Sequence, residues 1–273
     1  MLALLIACVP DPAAPDLDTA AAPTPPARDT AAGGFAVTGL AFDPFSYGKE
    51  GTQGVPAAEG LCVYVADPTP ALATGSAADL GILGATATGA SGTFTLEGID
   101  TTSLVGLFLV VDDCDPEVDT VATSITGVGL DDYLELGDGE ILGDQTALVL
   151  EASIQAVVEA SLPYAGYTGS YLADGGMIGF LIGADGIPVS GATVVRADGQ
   201  PAEVYYADSN PLDGLFTTGG VPNASSDALV NGMFLVPGAP LATWTAVHDT
   251  ASFEGAFFGT VPGVTTFFAL YGV

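Results

Sequence analysis

Basic residues are almost missing from this chain. Of its 273 residues only three are Lys or Arg, against 33 Asp or Glu, so the formal net charge is −30. A protein this poor in positive charge cannot neutralise phosphate groups, which excludes nucleic acid as a partner. The same negative field repels anionic lipid surfaces and favours divalent cations or basic partners.

Histidine is equally scarce, which limits the catalytic chemistry. The single histidine, His248, precedes Asp249, but the sequence has no Gly-x-Ser-x-Gly turn that would present a serine nucleophile. Zinc sites take about three or four Cys, His or carboxylate ligands, and one histidine with few cysteines does not supply such a set. The sequence therefore predicts no catalytic residue and no enzyme. A carboxylate-based glycoside hydrolase is the rival from the enzyme class, and it would require two acids facing each other in a cleft.

Long hydrophobic runs are also absent from the N-terminus. The opening stretch MLALLIAC ends at a cysteine and is too short to span a bilayer. It resembles the end of a bacterial lipoprotein signal peptide, with Leu5, Ile6 and Ala7 before Cys8. The resemblance implies that residues 1–8 are a signal remnant, that Cys8 is lipidated, and that the lipid is the chain's only membrane contact. Because Val9 and not Asp follows Cys8, it implies a cell-envelope protein of the outer membrane that faces the periplasm or the exterior.

Residues 9–34 contain no periodic apolar face and are dominated by Pro, Ala, Asp and Thr. Such a composition cannot bury enough apolar surface to fold alone, so this segment is predicted to be a disordered tether. A Pro-rich tether is semi-extended and would hold the folded part away from the membrane.

The cysteine count is low. With Cys8 assigned to lipid, only Cys62 and Cys114 are left, and both follow or belong to strand-like runs. In an exported protein two remaining cysteines are predicted to form a disulfide. A metal site built from the same two cysteines without histidine would be the other reading.

The chain contains an internal sequence repeat. Residue 232 lies 140 positions after residue 92, and four landmarks recur at this spacing: Gly39 and Gly179, Gly92 and Gly232, Phe94 and Phe234, Gly98 and Gly238. Around them, apolar and polar residues alternate between Gly and Pro turns, which is typical of short strands in a β-sandwich. Because the four landmarks recur in the same order, the sequence indicates an internal duplication.

These residues resemble the carboxypeptidase regulatory-like, or transthyretin-like, β-sandwich family, which is related to starch-binding-like folds. The second copy carries the motif at Gly179, Gly186, Pro188, Val189, Gly191, Ala192, Val194, Gly232, Phe234, Pro237 and Gly238. The first copy carries it at Gly39, Pro56, Gly60, Val63, Gly92, Phe94 and Gly98. The resemblance implies a mainly β fold of two tandem antiparallel Greek-key-type β-sandwiches, at 35–143 and 173–273, and a non-catalytic structural or interaction role. Some relatives of this fold bind starch-like glycans.

A connector, 144–172, is predicted between the sandwiches. A helix over about 145–161 would begin after Asp144 as its N-cap and end before Pro163. Its apolar face would consist of Leu150, Ile154, Val157 and Val158. A strand from Thr146 to Leu150 is the other reading of the same residues.

Two groups of residues are candidates for ligand binding. Close-spaced hard oxygen ligands suit calcium, and they are offered by Asp112, Asp113, Asp115, Glu117 and Asp119. Aromatic rings in a Gly-rich setting suit a glycan platform, and they are offered by Tyr164, Tyr167, Tyr171, Tyr205 and Tyr206. The competing readings are a solvated acidic loop and tyrosines that cover a core or a seam.

The sequence thus predicts a lipid-anchored protein of the cell envelope that presents a non-catalytic structural and interaction surface to a protein or polysaccharide partner. No cofactor is predicted, apart from calcium if the acidic loop binds it. The alternative from the binding-module class is a glycan-binding or calcium-dependent adhesion protein. The final apolar segment AFFGTVPGVTTFFALYGV contains Pro262 and internal glycines, so it is predicted to form two short strands instead of a membrane span.

Overall fold

The fold is mainly β. The structure is a computed structural model, and it describes residues 33–47, 53–100, 106–115, 117–129, 133, 136–209, 216, 225–227 and 230–273. Cys8 and nearly all of the predicted tether lie outside these residues. Among the residues described, no helix is long and apolar enough to cross a membrane.

The described residues of the first half of the chain form ten strands: β1 (Phe35–Tyr47), β2 (Gln53–Pro56), β3 (Leu61–Asp67), β4 (Gly81–Ala87), β5 (Thr93–Ile99), β6 (Leu107–Asp113), β7 (Val121–Ala122), β8 (Ser124–Val128), β9 (Ile141–Leu148) and β10 (Leu150–Glu151). Seven belong to the second half: β11 (Gly176–Ile182), β12 (Thr193–Arg196), β13 (Tyr205–Tyr206), β14 (Met233–Leu235), β15 (Ala242–Val247), β16 (Ala256–Phe258) and β17 (Thr265–Tyr271). Helices whose bounds lie within the described residues include α1 (Thr69–Thr74) and α2 (Ala152–Ser161), and short 3₁₀ turns lie at Ala77–Asp79, Ala90–Gly92 and Leu162–Ala165.

One eight-stranded sheet runs through both halves in the order β13-β14-β11-β17-β8-β6-β3-β4. The halves meet where β17, the last strand of the chain, pairs in parallel with β8 of the first half. A smaller sheet of β9, β1, β5 and β2 packs on the first half, and a three-stranded sheet of β12, β15 and β16 packs on the second. The two predicted sandwiches are therefore present, and they share a sheet.

The two smaller sheets cover opposite faces of the shared sheet. Paired residues of neighbouring strands point to the same face, and at the junction Thr266 pairs with Ile125 while Phe267 pairs with Thr126. Thr126 pairs in turn with Leu109, which lies in the core under the first small sheet. Phe267 therefore points to that same face, and its neighbours Phe268 and Leu270, like Thr266, point to the other, where the second small sheet packs.

The strand pairing departs from an all-antiparallel pattern at three places. β1 pairs with β9, β11 with β17, and β17 with β8, all in parallel. In the first half, β1 lies beside β9, and in the second half the first strand, β11, lies beside the last, β17. They are joined by a long path through the second sheet, and such a crossover permits parallel pairing where a tight hairpin would not.

The repeated landmarks occupy matching places in the two halves. Gly39 of β1 pairs with Phe94 of β5, and Gly179 of β11 pairs with Phe234 of β14. Each pair also lies next to a turn with the same backbone conformation. In these turns the non-glycine residues Ser91 and Asn231 both adopt the left-handed region, with φ 60°.

The predicted connector helix is wrong in its first part. Residues up to Leu148 form β9, which crosses the predicted domain boundary at residue 143, and α2 begins only at Ala152. Thr146 and Ala147 find their backbone partners on β1, so pairing with a neighbouring strand overrides local helix preference. Asp144 is not an N-cap, since it lies within β9 with φ 56°. In α2, Val158 is buried while Val157 is 49% exposed.

Two other predictions are confirmed. Cys62 and Cys114 form a disulfide with 4.8 Å between their Cα atoms, and it ties β3 to the end of β6. The final apolar segment forms two short strands, β16 and β17, separated by a turn at Pro262.

Candidate interaction surface

The carboxylates of the acidic loop bind the loop itself. Asp113, at the end of β6, accepts hydrogen bonds from the Thr120 N–H (2.7 Å), the Thr120 hydroxyl (2.6 Å) and the Val121 N–H (3.0 Å). Asp115 accepts one from the Glu117 N–H at 3.0 Å. These bonds close the loop between β6 and β7, so the carboxylates are used as turn-forming acceptors.

Asp112 is half-buried. Its carboxylate accepts hydrogen bonds from the Thr123 hydroxyl at 2.9 Å and from the Asp113 N–H at 2.9 Å. Burial, and the negative charges of Asp113 and Asp119, hold the pKa of Asp112 above its ordinary value, although the two hydrogen bonds act the other way. Within the described part of the chain, no three His, Cys, Asp or Glu side chains converge on a point that could hold a metal. The five acids proposed as calcium ligands are thus not gathered into a cage.

Three of the five tyrosines proposed as a glycan platform lie in the core. Tyr171, Tyr205 and Tyr206 are all nearly inaccessible to solvent. Alternation along β13 would expose either Tyr205 or Tyr206 if one face of the sheet were open. Both faces are covered, since Tyr205 packs under α2 and Tyr206 packs in the core of the second sandwich. The prediction of a platform from these residues is therefore wrong.

The remaining two tyrosines are not paired into a platform either. Tyr164 is 76% exposed, while Tyr167 is half-buried with its ring edge-on to Tyr205. The Tyr167 hydroxyl donates a hydrogen bond to Asp174 at 2.5 Å. Burial and this bond to a carboxylate raise the pKa of Tyr167 well above its usual range. The side chain is thus fixed in the seam beside α2.

His248 acts in a turn. Its Nδ1 accepts hydrogen bonds from the N–H groups of Thr250 (3.3 Å) and Ala251 (3.1 Å), which places the ring proton on Nε2. Nε2 then donates to the carbonyl oxygen of Ser190 at 3.1 Å. Both ring nitrogens are used in holding the turn after β15 against the segment before β12.

A depression of about 520 Å³ with a mixed polar and apolar lining lies open on the outer face of the first small sheet. Its walls come from β1, β5 and β9, and it is lined by Thr38, Gly39, Leu40, Thr93, Phe94, Thr95, Asp144, Gln145 and Thr146. We call it the threonine groove. None of the sequence motifs described above points to this groove. Comparison of the two copies at the 140-residue spacing would have done so, because Thr38, Thr93 and Thr95 correspond to Ile178, Met233 and Leu235.

The outer face of the second small sheet is apolar and uncharged. Leu241, Val247 and Phe257 are 47%, 60% and 68% exposed, and Thr243 pairs with Phe257 between them. On β12, Val195 pairs with Thr245 on the same face. We call this surface the open face. Exposed apolar side chains gathered on one sheet in this way mark contact surfaces more often than isolated ones do.

Comparisons with known proteins give structural likenesses only. No protein-family model matches the sequence, and none of the curated proteins matches it significantly. Among solved structures, the shaft pilin SpaA from Lactobacillus rhamnosus GG is 11% identical over 88% of this chain and 97% of the pilin, with a TM-score of 0.25. A streptococcal ancillary pilin is 14% identical over 88% of this chain and 62% of its own, with a TM-score of 0.21. The Bacillus anthracis TIE protein is 8% identical over 88% of this chain and 34% of its own, with a TM-score of 0.23. Likenesses this distant carry no argument about function, and the strand pairing of the chain itself defines the fold.

Proposed function

We propose that this protein is a lipid-anchored protein of the cell envelope, of the outer-membrane class, whose folded part is a rigid, non-catalytic structural and interaction body. The observation that carries the proposal is the shared eight-stranded sheet. A spacer must hold its far end at a fixed position relative to its tether. Strands of the two halves pair directly with each other, so no hinge separates the halves.

The junction between the halves is reinforced on both sides of the sheet. The Thr265 N–H donates to the Thr123 carbonyl at 3.2 Å beside the β8–β17 pairing. On one face, Phe45 of β1 lies against Phe267 of β17 with 6.2 Å between ring centroids. On the other face, Val264 packs in a buried cluster with Ile125. A junction of paired backbone and buried apolar side chains resists bending because any bend would expose that surface.

We also propose that the two halves are tandem copies of one carboxypeptidase regulatory-like sandwich. The equal placement of the pairs Gly39–Phe94 and Gly179–Phe234 supports this, because a glycine beneath an aromatic ring is a specific packing solution. The order of strands supports it as well, since the first strand of each half pairs in parallel with a late strand of the same half, β1 with β9 and β11 with β17.

The open face is the part of the surface best suited to a protein partner. Leu241, Val247 and Phe257 form its apolar centre, and the exposed acids Asp249 and Glu254 lie in the loops that flank its strands. Charge complementarity favours a partner with an apolar centre and basic residues around it. Phe257→Asp is expected to abolish recovery of such a partner with the protein from envelope extracts, whereas Tyr164→Asp, at an exposed ring elsewhere, is expected to leave it unchanged.

The anchor is tested by mass spectrometry of the protein in membrane fractions. Native protein is expected in the outer-membrane fraction with acyl chains on Cys8, Cys8→Ser is expected in the soluble fraction, and Val9→Asp is expected to stay lipidated but leave the outer membrane. Unmodified Cys8 in protein recovered from the membrane would defeat the anchor, while the rigid junction would still stand on its own evidence.

A further inference from the structure

We propose that the threonine groove binds a neutral oligosaccharide chain. This goes beyond the proposed function, and it does not depend on the lipid anchor. The site is distinct from the tyrosines considered above, since it lies on the outer face of the first small sheet and is lined by side chains of β1, β5 and β9.

A β-bulge builds the groove. Val37 pairs with Leu142 and Gly39 with Gln145, so Gly143 and Asp144 together stand opposite the single residue Thr38. Asp144 takes φ 56°. The Gln145 side-chain amide donates back to the Gly143 carbonyl at 3.0 Å, which fixes the bulged backbone. Bulges of this kind re-aim side chains, and here the extra residue brings a carboxylate to a sheet face that otherwise carries hydroxyls.

The lining has the mixed chemistry that a sugar ring needs. The hydroxyls of Thr38, Thr95 and Thr146 are donors and acceptors, and the Asp144 carboxylate can accept two hydroxyl protons at once. The Thr93 hydroxyl donates to the Ala90 carbonyl at 3.2 Å and so offers acceptor lone pairs. The threonine methyl groups and the Leu40 side chain supply apolar contact for the C–H faces of a pyranose.

Charge selects among carbohydrates. Asp144 is the one charged residue of the lining, and no cation lies beside it there. The chain as a whole carries a formal net charge of −30. Uronic acid or sulfated polymers would therefore be repelled, whereas neutral polymers would not.

The second half shows that the fold does not require this polarity. The positions that correspond to Thr38, Thr93 and Thr95 are Ile178, Met233 and Leu235, and all three are buried beneath α2 and its neighbours. There β11 and β17 pair over seven successive residues, Gly176 to Ile182, with no bulge. The same sheet face is thus a packing surface in one copy and an open, hydroxyl-lined groove in the other.

The openness of the groove suits a long chain. Pockets for small metabolites enclose most of the ligand surface, and this depression leaves a ligand exposed along its length. A polysaccharide segment can lie across the three strands and continue beyond both ends. The one aromatic residue of the lining, Phe94, is buried in the core and offers no ring face for stacking. Each site should therefore bind weakly, with a Kd on the order of 1 mM.

The test is an NMR titration of the full chain carrying Cys8→Ser, which keeps it unlipidated, with hexasaccharides of neutral glucan, mannan, xylan and chitin types and with an oligogalacturonate. At least one neutral hexasaccharide is expected to shift the amide signals of Thr38, Thr95 and Gln145 and to saturate, and the oligogalacturonate is expected to shift none of them. Asp144→Gly, which accepts the positive φ, and the pair Thr38→Val with Thr95→Val should each weaken binding at least fivefold. Thr243→Val on the open face is the matched control and should leave it unchanged.

Folding of each variant is checked by its melting temperature, so that a loss of binding is not confused with a loss of structure. No shift with any neutral hexasaccharide up to about 20 mM, some twentyfold above the expected Kd, would overturn the proposal. Shifts that lie outside the groove, or that survive Asp144→Gly and the double valine variant, would overturn it as well. Equal binding of the oligogalacturonate would refute the preference for neutral chains.

Discussion

The aromatic ring of Phe234 lies directly over Gly179 on the neighbouring strand. The two residues are paired in the sheet, and a Cβ atom on Gly179 would overlap the ring of Phe234. Phe94 stands in the same relation to Gly39, where a Cβ atom would lie 2.8 Å from Phe94 Cζ. The missing side chain of Gly179 is thus the space in which a core ring is seated, whereas a Cβ atom on Gly39 would first overlap the Gln145 carbonyl oxygen.

Gly179→Ala is therefore expected to destabilise the fold. The ring has no room to move, since Phe234 is fully buried and also packs against Phe268. Overpacking of a core usually costs about 1–3 kcal/mol of unfolding free energy. For a domain of this size that corresponds to a fall in melting temperature of about 2–12 °C, measured by circular dichroism.

Gly127→Ala is the matched control, because Gly127 is also a strand glycine but its added Cβ would meet only Phe108 at 3.9 Å. It is expected to be neutral or slightly stabilising, since alanine restricts the unfolded chain more than glycine does. Equal effects of the two substitutions would contradict the packing argument.

The junction predicts cooperative unfolding of the two halves. Phe267 is fully buried between Phe45 of the first half and Phe180 of the second, the latter ring being nearly parallel at 8°. Phe267→Ala is expected to cost about 3–5 kcal/mol. The single tryptophan, Trp244, reports on the second half, so its fluorescence can be compared with circular dichroism of the whole chain. Both transitions should coincide and should shift together.

Phe257→Ala serves as the control for that experiment, since Phe257 is 68% exposed on the open face. It is expected to change stability by no more than about 0.5 kcal/mol. Separate transitions for tryptophan fluorescence and circular dichroism in the native sequence would show two independently melting halves and would refute the rigid junction.

Local chemistry predicted much of this fold. The Gly and Pro turns and the alternation of apolar and polar residues are properties of short segments, and they predicted the strands of the sandwiches. The repeat that relates Phe94 to Phe234 predicted the matching landmarks. The pairing of Cys62 with Cys114 followed from a count. What failed depends on long-range contacts. Thr146 is in a strand because β1 offers its backbone partners, and Tyr205 is buried because α2 covers the face that alternation alone would leave open.

The groove was missed for the same reason. Its residues are ordinary surface threonines when read singly, and only the register of β1 against β9 reveals the bulge at Asp144. The replacement of Met233 in the second half by Thr93 in the first half is visible in the sequence. It indicates a groove only once the structure shows that this sheet face is covered in the second half and open in the first.

The disulfide should contribute much of the stability of the first half. It closes a loop across 52 residues, and the chain-entropy argument then gives about 4 kcal/mol. The double variant Cys62→Ser with Cys114→Ser is expected to lower the melting temperature by about 8–16 °C. A reducing agent should lower the melting temperature of the native chain by a similar amount and leave the double variant unaffected. An unchanged melting temperature in both experiments would contradict the stabilising role.

The surroundings of Asp112 in the acidic loop determine how its carboxyl group titrates. Burial first, and then the charges of Asp113 and Asp119, raise the pKa of Asp112. For an acid whose folded pKa is raised, the folded state binds more protons than the unfolded chain, so this group's contribution to stability is complete below the unfolded pKa. It is lost as pH rises through the folded pKa. Asp119→Asn should lower the Asp112 pKa, because it removes a neighbouring negative charge.

Thr123→Val should raise the Asp112 pKa further, since it removes the hydroxyl that donates to the charged carboxylate. The two variants should shift the pKa of Asp112 in opposite directions. A general loosening of the loop would shift it in the same direction in both, so the pair of variants separates the two explanations. The measurement is the carbon-13 shift of the Asp112 carboxyl carbon followed by NMR from pH 2 to 7. Shifts of the same sign in both variants would show that the loop rearranges, and the account of Asp112 as a buried, hydrogen-bonded carboxylate would then fail.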